Sequence, residues 1–106
     1  MEELMVQIVR FVDDAFPGFV ECQFCDAHGR FHSFIEKVPV VSNEMLDSGS
    51  TYPRRATARC TILSRGVDKT GREIVRISTT TPDCIESTEG LSEFEVPADA
   101  VVPTAL

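Results

Sequence analysis

The stretch ATARCTILSRGVDKTGREIVRIST, residues 56–79, decides the fold. Its two ends, residues 56–64 and 72–79, are rich in β-branched residues and flank a turn-forming segment, which predicts a β-hairpin. Pairing Arg65 with Arg72 places an apolar set on one face: Ala58, Cys60, Ile62, Val75 and Ile77. Because side chains alternate along a strand, the opposite face receives Arg59, Arg65, Arg72 and Arg76. The hairpin is therefore predicted to have one core face and one basic face.

Three more strands are predicted before this hairpin, at residues 4–12, 19–25 and 31–38. The second of them alternates apolar and polar residues, as expected for a half-buried strand. Residues 26–29 predict a four-residue hairpin loop between the second and third strands. That loop length places Phe24 opposite Phe31. It also places Val20 opposite Ile35, so the apolar faces of the two strands agree.

The C-terminal third completes a small β domain. Residues 84–86 are predicted to form a short strand or bridge, and residues 91–96 the last strand. Ser42 is predicted to cap one helical turn in the long connection 39–55, and residues 97–100 to form another. The predicted fold class is mostly all-β: a small antiparallel β-barrel, SH3-like or OB-like, with five to six strands and one or two short helical turns. Residues 1–106 form a single domain, because the chain is too short for a second core.

The composition is that of an ordinary globular protein, with 42% apolar and 25% charged residues. No apolar run approaches the ~18 residues that span a bilayer, which argues against a membrane partner. The chain starts with Met-Glu-Glu, which is acidic where a secretory signal peptide is basic. We therefore expect a cytoplasmic protein.

The charges fall into three blocks. Residues 1–50 hold nine acids and three bases, residues 51–76 hold seven bases and two acids, and residues 77–106 hold six acids and no Lys or Arg. The net charge of −7 argues against nucleic acid as the main partner, since phosphate binding needs a basic surface. The C-terminal acidic block is suited to attract a basic protein. Its predicted partner-binding residues are Glu86, Glu89, Glu93 and Glu95.

The basic face of the hairpin supports an alternative function. Arg59, Arg65, Arg72 and Arg76 would bind an anionic ligand or single-stranded nucleic acid. Tyr52 is the only tyrosine and the chain has no tryptophan, which leaves few aromatic platforms for stacked bases. A third interpretation gives the arginines no partner outside the chain, because acidic strands beside them neutralise their charge.

The candidate reactive residues do not indicate catalysis. The four cysteines are predicted to be reduced: Cys22, Cys25, Cys60 and Cys84. Cys22 and Cys25 have CxxC spacing, but residues three apart on a strand point to opposite faces, so we expect no shared metal. The alternative is a zinc-dependent enzyme with Cys25, His28 and His32 at one hairpin tip. Since no nucleophile, base and orienting group are recognisable, we expect no enzyme activity, no metal and no cofactor.

Three segments resemble small uncharacterised bacterial proteins of about this length: EKVPVVS at residues 36–42, IESTEG at residues 85–90 and FEVP at residues 94–97. The likeness runs over residues 5–97 and implies no particular activity, cofactor or site residue. In size and charge alone, the chain is similar to the immunity proteins that neutralise bacterial toxins. Together with the acidic block, this favours a non-enzymatic protein-binding module, an immunity protein or inhibitor whose acidic face blocks a basic toxin.

Overall fold

A computed structural model of the protein describes residues 1–104. In this range the chain forms seven strands, one short helix and one 3₁₀ turn. The elements, in chain order, are β1 Glu2–Asp13, β2 Phe19–Cys25, β3 Phe31–Lys37, α1 Val38–Val41, β4 Arg54–Val67, β5 Glu73–Ser78, β6 Glu93–Pro97, the 3₁₀ turn Ala98–Ala100 and β7 Val101–Pro103. The prediction of a mostly β fold is confirmed, with one strand more than expected. No helix in the described part is long and apolar enough to cross a membrane.

The sheet is antiparallel and its strand order is β3-β2-β1-β4-β5-β6, with β7 also paired to β1. β4 joins two parts of this sheet, since its residues 54–60 pair with β1 and its residues 61–67 pair with β5. Register shifts interrupt β1 at Val9 and Val12 and interrupt β4 at Leu63. An extra residue bends its strand and increases the local twist. The predicted small barrel is therefore present as a curled half-barrel.

The core lies on the inner face of the curled sheet. Along β1, Leu4, Val6 and Ile8 are buried, whereas Met5 and Gln7 between them are exposed. This alternation follows from the two-residue period of a strand, which sends successive side chains to opposite faces. The sheet thus has an inner face that packs the core and an outer face that is open to solvent.

The turn between β2 and β3 differs from the predicted four-residue loop. The N–H of Asp26 donates to the carbonyl of Arg30 (2.8 Å), so the loop between them has three residues and ends with Gly29 at φ 80°. This is a type I turn followed by a glycine bulge. Cys25 therefore lies opposite Phe31, and Phe24 lies opposite His32. The predicted pairs of Phe24 with Phe31 and Val20 with Ile35 are wrong by one residue.

A one-residue slip turns a strand over, because its side chains alternate between faces. Phe34, which the predicted register left outside, is buried with 2% of its surface exposed. Ile35, which that register placed in the core, is 48% exposed. His32 is also carried inside, with 4% of its surface exposed.

The central hairpin has the predicted core face but not the predicted register. Ala58, Cys60, Val75 and Ile77 are buried, and Ile62 is half-buried. Arg65 lies opposite Val75 instead of Arg72, because the loop is shorter than predicted. Leu63 is an extra residue in β4, and it reverses the face on which Arg65 lies relative to Ile62. Val75 points into the core, so Arg65 lies on the inner side of the hairpin. The four arginines therefore do not share one face.

The connections differ from expectation in three places. The helical turn α1 precedes Ser42, which ends it instead of capping its start. Pro39 lies in the first turn of α1, where its fixed φ is favourable and its missing N–H costs nothing. Residues 84–86 form no strand. The strand β7, by contrast, pairs residues 101–103 with the start of β1.

The β3 register can be tested with two neighbouring substitutions. We expect Phe34→Ala to lower the free energy of unfolding by about 3–5 kcal/mol, because it opens a cavity in the core. Ile35→Ala should cost less than about 1 kcal/mol, since that side chain is half-exposed on the outer face. Urea denaturation with an unchanged m-value measures both. A larger loss for Ile35→Ala than for Phe34→Ala would contradict the observed register and support the predicted four-residue loop.

Candidate binding surfaces

Three of the four predicted partner-binding carboxylates already contact basic side chains of this chain. Oε1 of Glu93 lies 3.0 Å from Nη2 of Arg76, and Oε1 of Glu95 lies 2.9 Å from Nε2 of His28. Glu89 binds Arg30 across 2.5 Å. Glu86 is exposed and forms no ion pair within residues 1–104.

Three of the four predicted anion-binding arginines have partners as well. Arg59 donates two hydrogen bonds to the carboxylate of Asp83, at 2.8 and 3.1 Å. Arg72 donates to the carbonyl of Ala27 (2.6 Å), and its Nε lies 3.5 Å from Asp68. The partner of Arg76 is Glu93. In the described part of the chain, Arg65 has no ion pair.

The two predicted charged sites thus contact each other through the ion pair of Arg76 with Glu93, and their other paired members bind neighbouring residues of the chain. Neutralisation of the arginines by neighbouring acidic segments accounts for most of their contacts. Exposed ion pairs contribute only about 0–1 kcal/mol each, so a partner could displace them at small cost. Six of the eight predicted site residues are therefore already paired within the chain, whereas Glu86 and Arg65 form no ion pair within residues 1–104.

A second set of contacts brings the β2–β3 turn against β6 and so narrows the opening of the half-barrel. The N–H of Ala27 donates to the carbonyl of Glu95 (2.8 Å). The N–H of Thr88 donates to the carbonyl of Ser33 on β3 (2.8 Å). Since β3 and β6 are the two ends of the strand order, these bonds draw the ends of the sheet together.

A buried histidine and a half-buried carboxylate lie beneath this contact. Nε2 of His32 donates to Oδ2 of Asp26 (2.7 Å), and the imidazole packs between Phe24 and Phe94 with ring centroids 5.3 and 4.8 Å away. Oδ1 of Asp26 accepts the backbone N–H groups of His28 (2.8 Å) and Arg30 (3.0 Å). Burial alone would raise the pKa of Asp26. The hydrogen bonds from His32 and from the two amides outweigh burial and lower the pKa below its ordinary value of 3.8.

The residues of the zinc alternative do not come together. Cys25 is exposed, His32 is buried inside the barrel, and His28 binds Glu95 on the surface. Among residues 1–104, no three histidine, cysteine or acidic side chains are placed to share a metal ion. The hairpin tip is therefore built from structural contacts.

The cysteines divide into two buried and two exposed thiols. Cys22 and Cys60 are buried, as expected for small apolar residues, whereas Cys25 and Cys84 are exposed. Burial, with a smaller effect of Glu36 and Glu21, raises the pKa of Cys22 to about 12. Burial near Glu2 and Glu3 raises the pKa of Cys60 to about 11. Both buried thiols are therefore poor nucleophiles.

An open groove of about 1190 Å³ runs along β1, β2 and β4, and its lining also includes residues 39–44 and the carboxylates of Glu3 and Glu44. We call it the outer groove and define it by Met5, Gln7, Gln23, Cys25, Phe31 and Arg55. Sequence reasoning missed it because its residues come from four strands. The sequence does contain a signal for this surface, because the residues that alternate with the core positions of β1, β2 and β4 must lie on the opposite face of the sheet.

The outer groove has a polar row beside an apolar patch. Gln7 is the cross-strand partner of both Arg55 on β4 and Gln23 on β2. Within the described chain, the side chains of these three residues make no hydrogen bond. Phe31, 64% exposed, is the cross-strand partner of Cys25. Met5, 44% exposed, lies two residues along β1 from Gln7 and faces the same way.

The carboxylate of Asp26 should support the fold at neutral pH. Because its folded pKa is lowered, its contribution is complete above the unfolded value of 3.8 and is lost as pH falls through the folded value. We expect Asp26→Asn to lower the free energy of unfolding by about 1–3 kcal/mol at neutral pH, through loss of a charge-assisted bond to His32. In this variant, the free energy of unfolding should also fall less steeply with decreasing pH in the acid range than it does in wild type.

Asp68→Asn is the matched control, because Asp68 accepts the same two backbone bonds in its own turn, from Thr70 and Arg72, but binds no histidine. Its loss should be smaller. Asp68 also accepts the hydroxyl of Thr70 (2.7 Å) and lies 3.5 Å from Nε of Arg72. Equal losses in the two variants, measured by urea denaturation across the acid range, would show that the His32 contact adds no more than these exposed contacts.

Thiol labelling should separate the cysteines into two pairs. We expect Cys25 and Cys84 to react rapidly with iodoacetamide in the native protein, because both are exposed. Cys22 and Cys60 should react only after unfolding, because they are buried and their thiols stay protonated. Mass spectrometry of tryptic peptides identifies the labelled sites. Native labelling of Cys22 at the rate of Cys25 would contradict the burial of β2.

Comparison with known proteins gives no match. No family model, no curated protein and no solved structure matches this chain.

Proposed function

We propose that this chain is a non-enzymatic binding module that holds a partner protein in its outer groove. The observation that carries the proposal is the pairing, on one open face, of an exposed apolar patch with polar side chains that have no partner in residues 1–104. Single exposed apolar residues are ordinary, but contiguous ones beside unsatisfied polar groups are typical of interaction sites.

The apolar half of the groove suits a side chain of a partner. Phe31 offers a large rigid surface, and Met5 is flexible enough to repack against different shapes. Cys25 lies beside Phe31 and leaves space above it because its side chain is small. These three residues together would bury an aliphatic or aromatic side chain.

The polar half suits a carboxylate next to that side chain. Arg55 has no ion pair in the described chain and can bind both oxygens of a carboxylate. Gln7 and Gln23 each offer a donor and an acceptor, which fit the peptide groups of a partner. The expected partner is a protein segment with an apolar residue beside an acidic one.

The absence of enzyme activity is part of this proposal. His32 and Asp26 are occupied with each other in the core, and His28 contacts Glu95. Cys22 and Cys60 are buried with raised pKa values. The two histidines and the two buried thiols thus have structural surroundings, and this supports a binding role.

The acidic-face inhibitor of a basic toxin and the arginine ribbon for anions both stay predictions, as does a cytoplasmic location. Each of the two surfaces would have to exchange internal ion pairs for contacts to a partner. Breaking exposed ion pairs costs little free energy, but forming new exposed pairs with a partner contributes equally little to binding. Within residues 1–104, the side chains of the six residues that define the outer groove have no such contacts to lose, which is why we favour it.

Matched pairs of substitutions test the proposal. Phe31→Glu and Met5→Glu should weaken binding of a purified partner by at least about tenfold each, since each buries a charge in the apolar contact. Phe16→Glu and Met45→Glu are the controls, because those side chains are 97% and 100% exposed and lie outside the groove. The controls should bind as wild type does. Isothermal titration calorimetry measures all five proteins.

A variant with four substitutions distinguishes binding by the acidic face from binding by the outer groove. Reversal of Glu86, Glu89, Glu93 and Glu95 to lysine should leave partner binding within a few-fold of wild type, once circular dichroism shows that the variant is folded. If this variant loses the partner while Phe31→Glu retains it, the acidic face is the binding site and the outer groove is not.

A further inference from the structure

The second half of β4 has one edge without a neighbouring strand. Glu2 of β1 lies opposite Cys60, and Ser78 of β5 lies opposite Thr61. Two strands cannot occupy one edge at adjacent positions, so β1 and β5 lie on opposite sides of β4. Beyond Cys60, no strand in residues 1–104 continues β1 along its side. We call residues 61–67 on that side the free edge.

The free edge is accessible. Of residues 61–67, all except Ile62 are exposed, and Ile62 is half-buried. No backbone hydrogen bond in the described chain reaches these residues apart from their pairing with β5. Seven extended residues span about 23 Å, which is enough for an added strand to make several main-chain hydrogen bonds. Binding by strand addition uses such an edge.

The side chains of the free edge determine which kind of strand can pair with it. Leu63 and Val67 are 48% and 64% exposed, and residues 61–67 contain no acid. Their one charge is Arg65, which is exposed and has no ion pair in residues 1–104. Acids flank its two ends: Glu2 is opposite Cys60, Asp68 follows Val67, and Glu73 is opposite Val67. A negative charge is therefore favoured at the middle of an added strand and disfavoured at its ends.

Arg65 also disfavours pairing of the free edge with the free edge of a second copy of this chain. Two free edges paired antiparallel about Arg65 would place their two Arg65 side chains directly opposite each other. Like charges at facing positions destabilise a strand pair. The extra residue Leu63 also bends the edge, and both devices are known to protect exposed edges from self-association. An acidic strand from another protein would turn this repulsion into attraction.

We propose that the free edge of β4 binds an extended segment of a partner protein that carries a carboxylate at its centre, opposite Arg65. Backbone groups of residues 61–67 supply the common affinity, and Arg65 supplies the selectivity. This surface is separate from the outer groove, and the proposal stands or falls independently of the function assigned to that groove.

Two capped nine-residue peptides of alternating threonine and valine serve as probes, one with a central glutamate and one with a central lysine. NMR titration and amide hydrogen exchange of the full chain record binding. We expect the glutamate peptide to shift and protect the amides of residues 61–67. The lysine peptide should bind at least about tenfold more weakly, because its charge faces Arg65.

Arg65→Glu should reverse this preference. Lys69→Glu is the matched control, because Lys69 lies in the β4–β5 turn, beyond the free edge, and is exposed without an ion pair in the described chain. The control should keep the wild-type preference. Equal binding of both peptides to wild type, or protection by the glutamate peptide outside residues 61–67, would overturn the proposal. So would a wild-type dimer in sedimentation with these amides protected, since the occupant would then be a second copy.

Discussion

The carboxylate of Asp26 accepts the backbone N–H groups of His28 and Arg30 and the Nε2–H of His32, and these three bonds set the geometry of the β2–β3 turn. The turn fixes the register of β3, which places Phe34 and His32 inside the barrel. It also presents Ala27 to the backbone of β6. One acidic side chain thus connects local chain reversal, core packing and the approach of the two sheet ends. The outer groove depends on it too, because the same register turns Phe31 outward.

This turn is used three times in the chain. Residues 26–30, 68–72 and 87–91 each close with a hydrogen bond from the first N–H to the fifth carbonyl, and each has a glycine with positive φ in fourth place. The first residue is Asp, Asp and Ser, and its side chain accepts bonds from the third and fifth amides. A short acceptor followed three residues later by glycine is therefore a readable signal for a three-residue loop with a glycine bulge.

Alternation was enough to predict the fold class and most of the central core, because it depends only on the period of a strand. Ala58, Cys60, Val75 and Ile77 were found in this way. The predicted strand registers were wrong where the loop length was misjudged. The prediction that the four arginines share one face was wrong because Leu63 is an extra residue of β4, and nothing in the sequence marks it as one. The charge network could not be predicted, because its members are far apart in sequence. Arg30 and Glu89, for example, are separated by 59 residues.

The sharing of β4 between two partners has a consequence for how the chain folds. The β2–β3 and β4–β5 hairpins join residues that are close in sequence, and loop closure for them is fast. The start of β1 must instead wait for residues 54–60, since Glu2 pairs with Cys60. Contacts of this separation slow folding. During synthesis, Leu4 and Val6 therefore remain without their β4 partners until more than half of the chain has emerged, and in that interval this apolar segment is open to contacts with other chains.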